Sequence, residues 1–377
     1  MDARELTVEL IAHNTVSYNS NTEVMKFLRQ RMLEIDCQVE WVEYVDPDGV
    51  QKVNLIGKKG GNHDPGDRGI ALLGHIDTVP AIGWESSAFE ARIEGTKMYG
   101  RGSCDMKGSV ACMLETASRY SNSDLDYPLY VIVTADEEVG FHGAQAVTDK
   151  SDLFKGAFPR YGVVGEPTLL GVIHAHKGIV QMAVTARGRA AHSSTGEGDN
   201  ANLKLIPFLT EMRDIYFTLT TDSKYFNDDF DPPFADWNIT IDNGDCAPNI
   251  TPPFSICRIN YRPMPGQDPY EWIDRARQSA EKHGLEFDLR AAAEPMVTPR
   301  ESEVVRAALD ITGEENPRTV AYGTDGAVFG QHMELVVIGP GSILQAHTVD
   351  EWMELDQFPK AVSVFSQFVE RFCKKAA

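Results

Sequence analysis

Continuous apolar runs of strand length recur along the chain, each closed by polar or turn-forming residues. Ile70–Ile76, Leu129–Ala135, Tyr161–Gly165 and Leu335–Ile338 do not alternate, which is the pattern of strands buried on both faces of a mostly parallel sheet. Val39–Val45 and Val53–Gly57 read as further strands, and Lys58–Arg68 as an exposed, Gly- and Asp-rich turn. Phe89–Ile93 and Lys97–Tyr99 read as a hairpin around Glu94-Gly95. Helical spacing marks residues 4–13, 22–35, 110–120, 303–311 and 356–373; in the second, Asn21 is a candidate N-cap ahead of Val24, Phe27, Leu28, Met32 and Ile35. Strands alternating with helices argue an α/β domain.

From Gly178 the pattern changes. Ile179–Ala186 alternates like a half-exposed strand, and 201–216 reads as a helix. Trp237–Ile241 and Ser255–Arg262 read as strands, Pro269–His283 as a helix and Glu286–Arg290 as a last strand. The order β-α-β-β-α-β is that of a small ferredoxin-like α+β domain. The predicted organisation is a catalytic domain over 1–177 and 292–377, with a mostly parallel sheet and helices on both faces, interrupted by a smaller domain at 178–291.

The 377 residues are enough for two domains with their own cores, and the 42% apolar content is ordinary for a globular chain. No stretch approaches the ~20 apolar residues of a membrane span. The N-terminus runs straight into a helical pattern without a secretory signal, so a cytoplasmic protein is expected. A formal net charge of −21 argues against nucleic acid and anionic membranes as partners. The six cysteines form no Cys-x-x-Cys pair, so a thiolate zinc site is not expected.

The candidate chemistry lies where the apolar runs end. His75 and Asp77 follow the first run, two apart and on one side of an extended chain; an imidazole beside a carboxylate suits a metal ligand and its orienting partner. Gly100–Gly108 places three glycines around Asp105, a tight path that aims a carboxylate. Asp136-Glu137-Glu138 follows Leu129–Ala135; on an extended chain the two glutamates face opposite ways and can do different work. Glu166 closes Tyr161–Gly165, and His347 follows Leu335–Ile338. One such end is a solvated turn; several in succession suggest a shared site. Imidazoles and carboxylates without thiolates suit zinc, with cobalt or manganese able to replace it. Spacing alone leaves open which of Glu137 and Glu138 binds metal and which serves as general base.

The segments Gly74–Pro80, Gly100–Gly108, Asp136–Gly140, Gly165–Thr168 and the surroundings of His347 occur in an order that resembles the dinuclear-zinc amidohydrolases and metallopeptidases. That family includes acetylornithine deacetylase, succinyl-diaminopimelate desuccinylase, aminoacylase and carboxypeptidase G. The resemblance implies two divalent ions per chain, His75 and Glu166 on one, Glu138 and His347 on the other, with Asp105 bridging. It makes Asp77 the partner that orients His75, and Glu137 the base. It makes the small domain a lid and dimerisation domain, so that a homodimer is implied. There His192, in Ala191-His192-Ser193-Ser194, crosses to the partner's site, and Asn249 and Arg262 hold the substrate's polar end. His174–Gly178, Ile338–Ser342, Gln345–His347 and Asp350-Glu351 resemble the acetylornithine deacetylase branch most. The Thr195–Asn202 loop departs from the family in its acidity and in lacking a proline. The implied reaction is amide hydrolysis of a small N-acyl amino acid, N-acetylornithine foremost, in arginine biosynthesis. Acetylcitrulline deacetylase, a desuccinylase, an aminoacylase and a dipeptidase are the alternatives, with a non-catalytic metal-dependent binding protein more remote.

Overall fold

A computed structural model describes residues 1–61, 68–156 and 158–375. The expected turn at Lys58–Arg68 lies largely outside these residues, as does His63; its first two positions belong to a strand, Gln51–Lys59. The chain folds into two compact units. One comprises Met1–His174, Val297–Arg318 and Thr324–Ala377; the other comprises Ala175–Met296 and the short excursion Thr319–Gly323.

In the first unit the strands Leu129–Thr134, Ile70–His75, Tyr161–Val164 and Glu334–Val337 lie side by side in that order, all parallel. Every residue of the first three is buried, which is why their sequences are apolar without alternation. Gln51–Lys59 and Gln38–Val45 extend the sheet beyond Leu129–Thr134 in antiparallel pairing. The helix Lys107–Ser118 packs on the centre of this sheet. Two glycines permit the close approach: a Cβ on Gly74 would meet Met106 Cε at 2.7 Å, and one on Gly165 would meet Ser109 Oγ at 2.2 Å. Met25, Leu28, Leu72, Val110, Met113, Phe365 and Phe368 belong to one continuous apolar core. A small sheet pairs Arg92–Glu94, Lys97–Tyr99 and Trp352–Glu354. Its register sets Trp352 opposite Tyr99, bringing Glu351 beside Gly100.

The second unit is a four-stranded antiparallel sheet, ordered Asp236–Asp242, Phe254–Arg262, Ile179–Arg187, Glu286–Ala293. Phe254–Arg262 alternates between buried and half-buried positions, as a sheet covered on one face requires. The helices Ala201–Thr221 and Pro269–Lys282 supply that cover, with Phe208, Met212, Ile215, Trp272 and Ile273 in the core. The element order is the expected β-α-β-β-α-β, although Glu286–Ala293 runs three residues beyond the predicted end. Among the described residues no helix is long and apolar enough to cross a membrane.

One expectation fails locally. Asp136–Gly140 is not extended: Asp136 adopts φ +57° and Glu137–Gly140 form a turn. The reason lies in Asp77, whose Oδ1 accepts the Glu137 N–H at 3.2 Å and whose Oδ2 accepts the Glu138 N–H at 3.3 Å. Glu137 and Glu138 therefore do not point to opposite sides; both bring donor atoms near His75.

Candidate metal centre

The parallel strands deliver their polar ends to one place, as open α/β sheets do. His75 is the last residue of its strand, and Glu137 and Glu138 stand just beyond Thr134. Glu166 follows Val164 by two positions. Asp105 precedes the helix Lys107–Ser118. His347 comes from the loop after Glu334–Val337, with a left-handed φ of 62°.

The Asp105 carboxylate lies between two imidazoles: Oδ1 is 3.1 Å from His75 Nε2, and Oδ2 is 3.3 Å from His347 Nε2. Glu166 Oε1 is 3.5 Å from His75 Nε2, and Glu138 Oε2 is 3.0 Å from His347 Nε2. The other nitrogen of His75 is 3.0 Å from the backbone oxygen of Asp77 and 3.5 Å from its Oδ1. Asp77 is held in turn by the Ser17 hydroxyl, which donates to Oδ2 at 2.8 Å. Donor atoms of His75, Asp105 and Glu138 come within 4.8 Å of one another, as do those of His75, Glu137 and Glu166. Glu137 is not paired with either imidazole.

Charge is the dominant feature of this arrangement. Burial first, and then neighbouring carboxylates, push Glu137 and Glu166 well above the usual carboxyl range. Burial and Asp105 raise Glu138. Asp105 goes the other way: burial works upward, but hydrogen bonds with His347 and His75 hold it low. Hydrogen bonds to Asp105 and Glu138 lift His347 to about 10. For His75 burial works downward, yet Asp105 and Asp77 carry it well above its ordinary value. Among the described residues no lysine or arginine ion-pairs with Asp77, Asp105, Glu137, Glu138 or Glu166. Buried like charges of this kind call for cations or protons. The donor set, oxygen and imidazole nitrogen without thiolate, fits divalent ions of the zinc, cobalt and manganese type.

Two further acids belong here: Asp325, which sequence reading passed over, and Glu351, which it noted only as part of the resemblance and gave no role. Asp325 is buried, accepts the Thr134 hydroxyl at 2.5 Å and has no hydrogen-bond partner for Oδ1 among the described residues. Burial raises it to about 7. Glu351 is fully buried beneath the Asp105 loop. The only local signal for either is an acid beside small residues or a histidine motif.

The remaining predicted residues belong to the second unit. His192 and Asn249 are neighbours: His192 bridges Ile250, and Ser193 donates its N–H to the Asn249 carbonyl at 2.9 Å. His192 is exposed, its Nδ1 2.8 Å from Ser194 Oγ. Arg262 is not with them. It ends the nine-residue strand Phe254–Arg262, and the His192–Ile250 bridge lies beyond the opposite end. The strand's rise alone puts about 26 Å between the Cα atoms of Phe254 and Arg262, and the bridge lies on the far side of Phe254.

Residues 71–371 match the model of peptidase family M20/M25/M40. An acetylornithine deacetylase from Myxococcus xanthus is 31% identical, over 98% of this chain and 97% of that protein. Among solved structures, an M20 family metallo-carboxypeptidase from Sulfolobus solfataricus superposes with a TM-score of 0.80 at 16% identity, covering 98% of this chain and 99% of its own. A dinuclear metal-binding peptidase of the same family from Bacillus subtilis gives 0.63 at 16% identity, over 97% and 96%. The chain is thus a hydrolase that belongs to peptidase family M20/M25/M40.

Proposed function

We propose that the chain hydrolyses the amide bond of a small N-acyl amino acid, N-acetylornithine first among them, with two divalent ions held in the first unit. Zinc is the favoured metal, and cobalt or manganese would serve. His75 and Glu166 would hold one ion, Glu138 and His347 the other, and Asp105 both. The single observation that carries this reading is the Asp105 carboxylate set between His75 and His347. The likeness to acetylornithine deacetylases supports the substrate class.

Bound divalent ions supply Lewis acidity toward the amide carbonyl and acidify the attacking water. The chain's residues do the rest. Glu137, the acid not committed to an imidazole, takes a proton from the attacking water on its carboxylate and delivers it to the departing amine nitrogen. Asp77 holds the turn that carries Glu137 and Glu138 through their N–H groups. Arg262 suits a substrate carboxylate, which a guanidinium can bind through two hydrogen bonds.

A substrate of about 12 heavy atoms is too short to bridge side chains whose backbones stand about 26 Å apart. If His192, Asn249 and Arg262 all contact it, one group must come from a second copy. This supports a homodimer through the small domain, with His192 and Asn249 acting across the interface.

The test is a substrate panel with purified protein loaded with zinc or cobalt: N-acetylornithine, N-acetylcitrulline, N-succinyl-diaminopimelate, other N-acyl amino acids and dipeptides. The expected outcome is the highest kcat/KM for N-acetylornithine. A higher value for a dipeptide or the succinyl compound would reassign the substrate. No turnover of any would overturn the reading.

A further inference from the structure

We propose that Glu351 is a positioning residue for the metal centre, fixing the Asp105 backbone so that its carboxylate stands between His75 and His347. The inference rests on the reading of Asp105 as the shared ligand. One Glu351 oxygen accepts the N–H groups of Cys104 at 2.8 Å and Asp105 at 2.9 Å. The other accepts the Gly102 N–H at 3.1 Å and Arg101 Nη1 at 2.8 Å. Its own carbonyl accepts the Gly100 N–H at 3.0 Å. Arg101, Gly102, Cys104 and Asp105 therefore all converge on one carboxylate. The loop has no strand ladder of its own, and its conformation requires Gly102 at φ +86°.

The geometry makes this more than a buried ion pair. Glu351 stands four residues after His347, so one short segment presents a candidate ligand and anchors the loop bearing another. Arg101 extends the tie, with Nη2 3.4 Å from the carbonyl of Pro80 in the segment that follows His75. An Asp side chain has two torsions, so where its carboxylate lies is set by where its Cα and N–H are held. Four donors to one carboxylate hold them firmly, since hydrogen bonds to a charged acceptor are the strong ones. Glu351→Gln keeps the shape but turns an NH2 group toward two donors, leaving them unpaired in a buried place.

The experiment titrates metal-free, full-length protein with Co(II), following visible absorption, and pairs this with elemental analysis and steady-state kinetics. Wild type, Glu351→Gln and Asp105→Ala are compared. Glu351→Gln is expected to keep its circular dichroism spectrum, bind cobalt about 10- to 100-fold more weakly and shift the visible bands. Its kcat falls while KM stays close to wild type. If Glu351→Gln does not fold, Arg101→Met takes its place; it removes one donor of four, and the same changes are expected in smaller measure. A folded variant with wild-type cobalt affinity and absorption overturns the proposal. Asp105→Ala separates the two ideas: if it loses cobalt while Glu351→Gln does not, only the positioning role fails. If Asp105→Ala binds like wild type, the shared-ligand reading fails, and this inference with it.

Discussion

Asp105 Oδ1 stands 3.1 Å from His75 Nε2, in direct contact although the two residues leave different elements thirty positions apart. The carboxylate's second oxygen is committed to His347. A group placed this way serves both halves of the centre, so its removal is expected to affect both. Asp105→Ala should lose both metals. Elemental analysis of the purified variant checks this; two ions per chain would remove Asp105 as the bridge.

Glu137 is predicted to matter for turnover and not for metal. Glu137→Ala should keep its metal content and lower kcat by at least ~100-fold, the lower end for general acid–base catalysis. Near-normal turnover in the fully metallated variant would take Glu137 out of the mechanism.

The raised groups give a pH prediction with a definite sign. His347, lifted to about 10, is protonated at pH 7 in the metal-free chain, and the raised Glu166 carries protons further up the scale than a free carboxyl. Cations must displace those protons, so metal binding should release protons at pH 7 and weaken as pH falls. Calorimetric titration in buffers of different ionisation enthalpy measures the number; zero release would contradict the assignment. Stability of the metal-free chain runs the opposite way with pH. A pKa raised on folding stabilises fully below the unfolded value near 6.5 and loses that contribution as pH rises through about 10. In the metal-free state, thermal melts should show His347→Ala less stable than wild type near pH 6, the gap closing toward pH 10.

The strand ends were legible because three parallel strands are buried on both faces, leaving apolar runs whose polar terminators stand out. The turn at Glu137 was not, because it is imposed by Asp77 from sixty residues away. The helix His142–Lys150 was missed for a local reason. It starts from Phe141 in a left-handed conformation with no side-chain cap, so the usual N-terminal signal is absent. The anchoring role of Glu351 was not legible because its partners lie about 250 positions earlier, and one acid among 56 carries no mark of burial.

Behind the turn that carries Glu137, Lys52 Nζ lies 2.8 Å from Asp136 Oδ1, with both side chains buried, while the Tyr44 hydroxyl donates to Asp136 Oδ2 at 2.6 Å. Lys52→Met leaves the Asp136 carboxylate without its cation and should cost about 3–5 kcal/mol. Urea denaturation of Lys52→Met, Asp136→Asn and the double variant checks this. The double variant should be more stable than the sum of the single losses implies. Strict additivity would show that the pair does not act as a unit.

The last prediction concerns the second copy. His192 and Arg262 sit at opposite ends of the same sheet, and the proposal assigns His192 to the partner's centre. His192→Ala should then lose rate but retain metal. In a mixed dimer with Glu137→Ala, the His192→Ala chain keeps its own Glu137 and receives an intact His192 from its partner. That dimer holds one complete site, so mixing the two inactive variants should recover part of the wild-type activity. Native mass spectrometry of differently tagged chains establishes that exchange has occurred. If exchanged mixed dimers are no more active than the two parents, His192 does not act across the interface. The separation from Arg262 would then mean that the two residues do not bind the same substrate molecule.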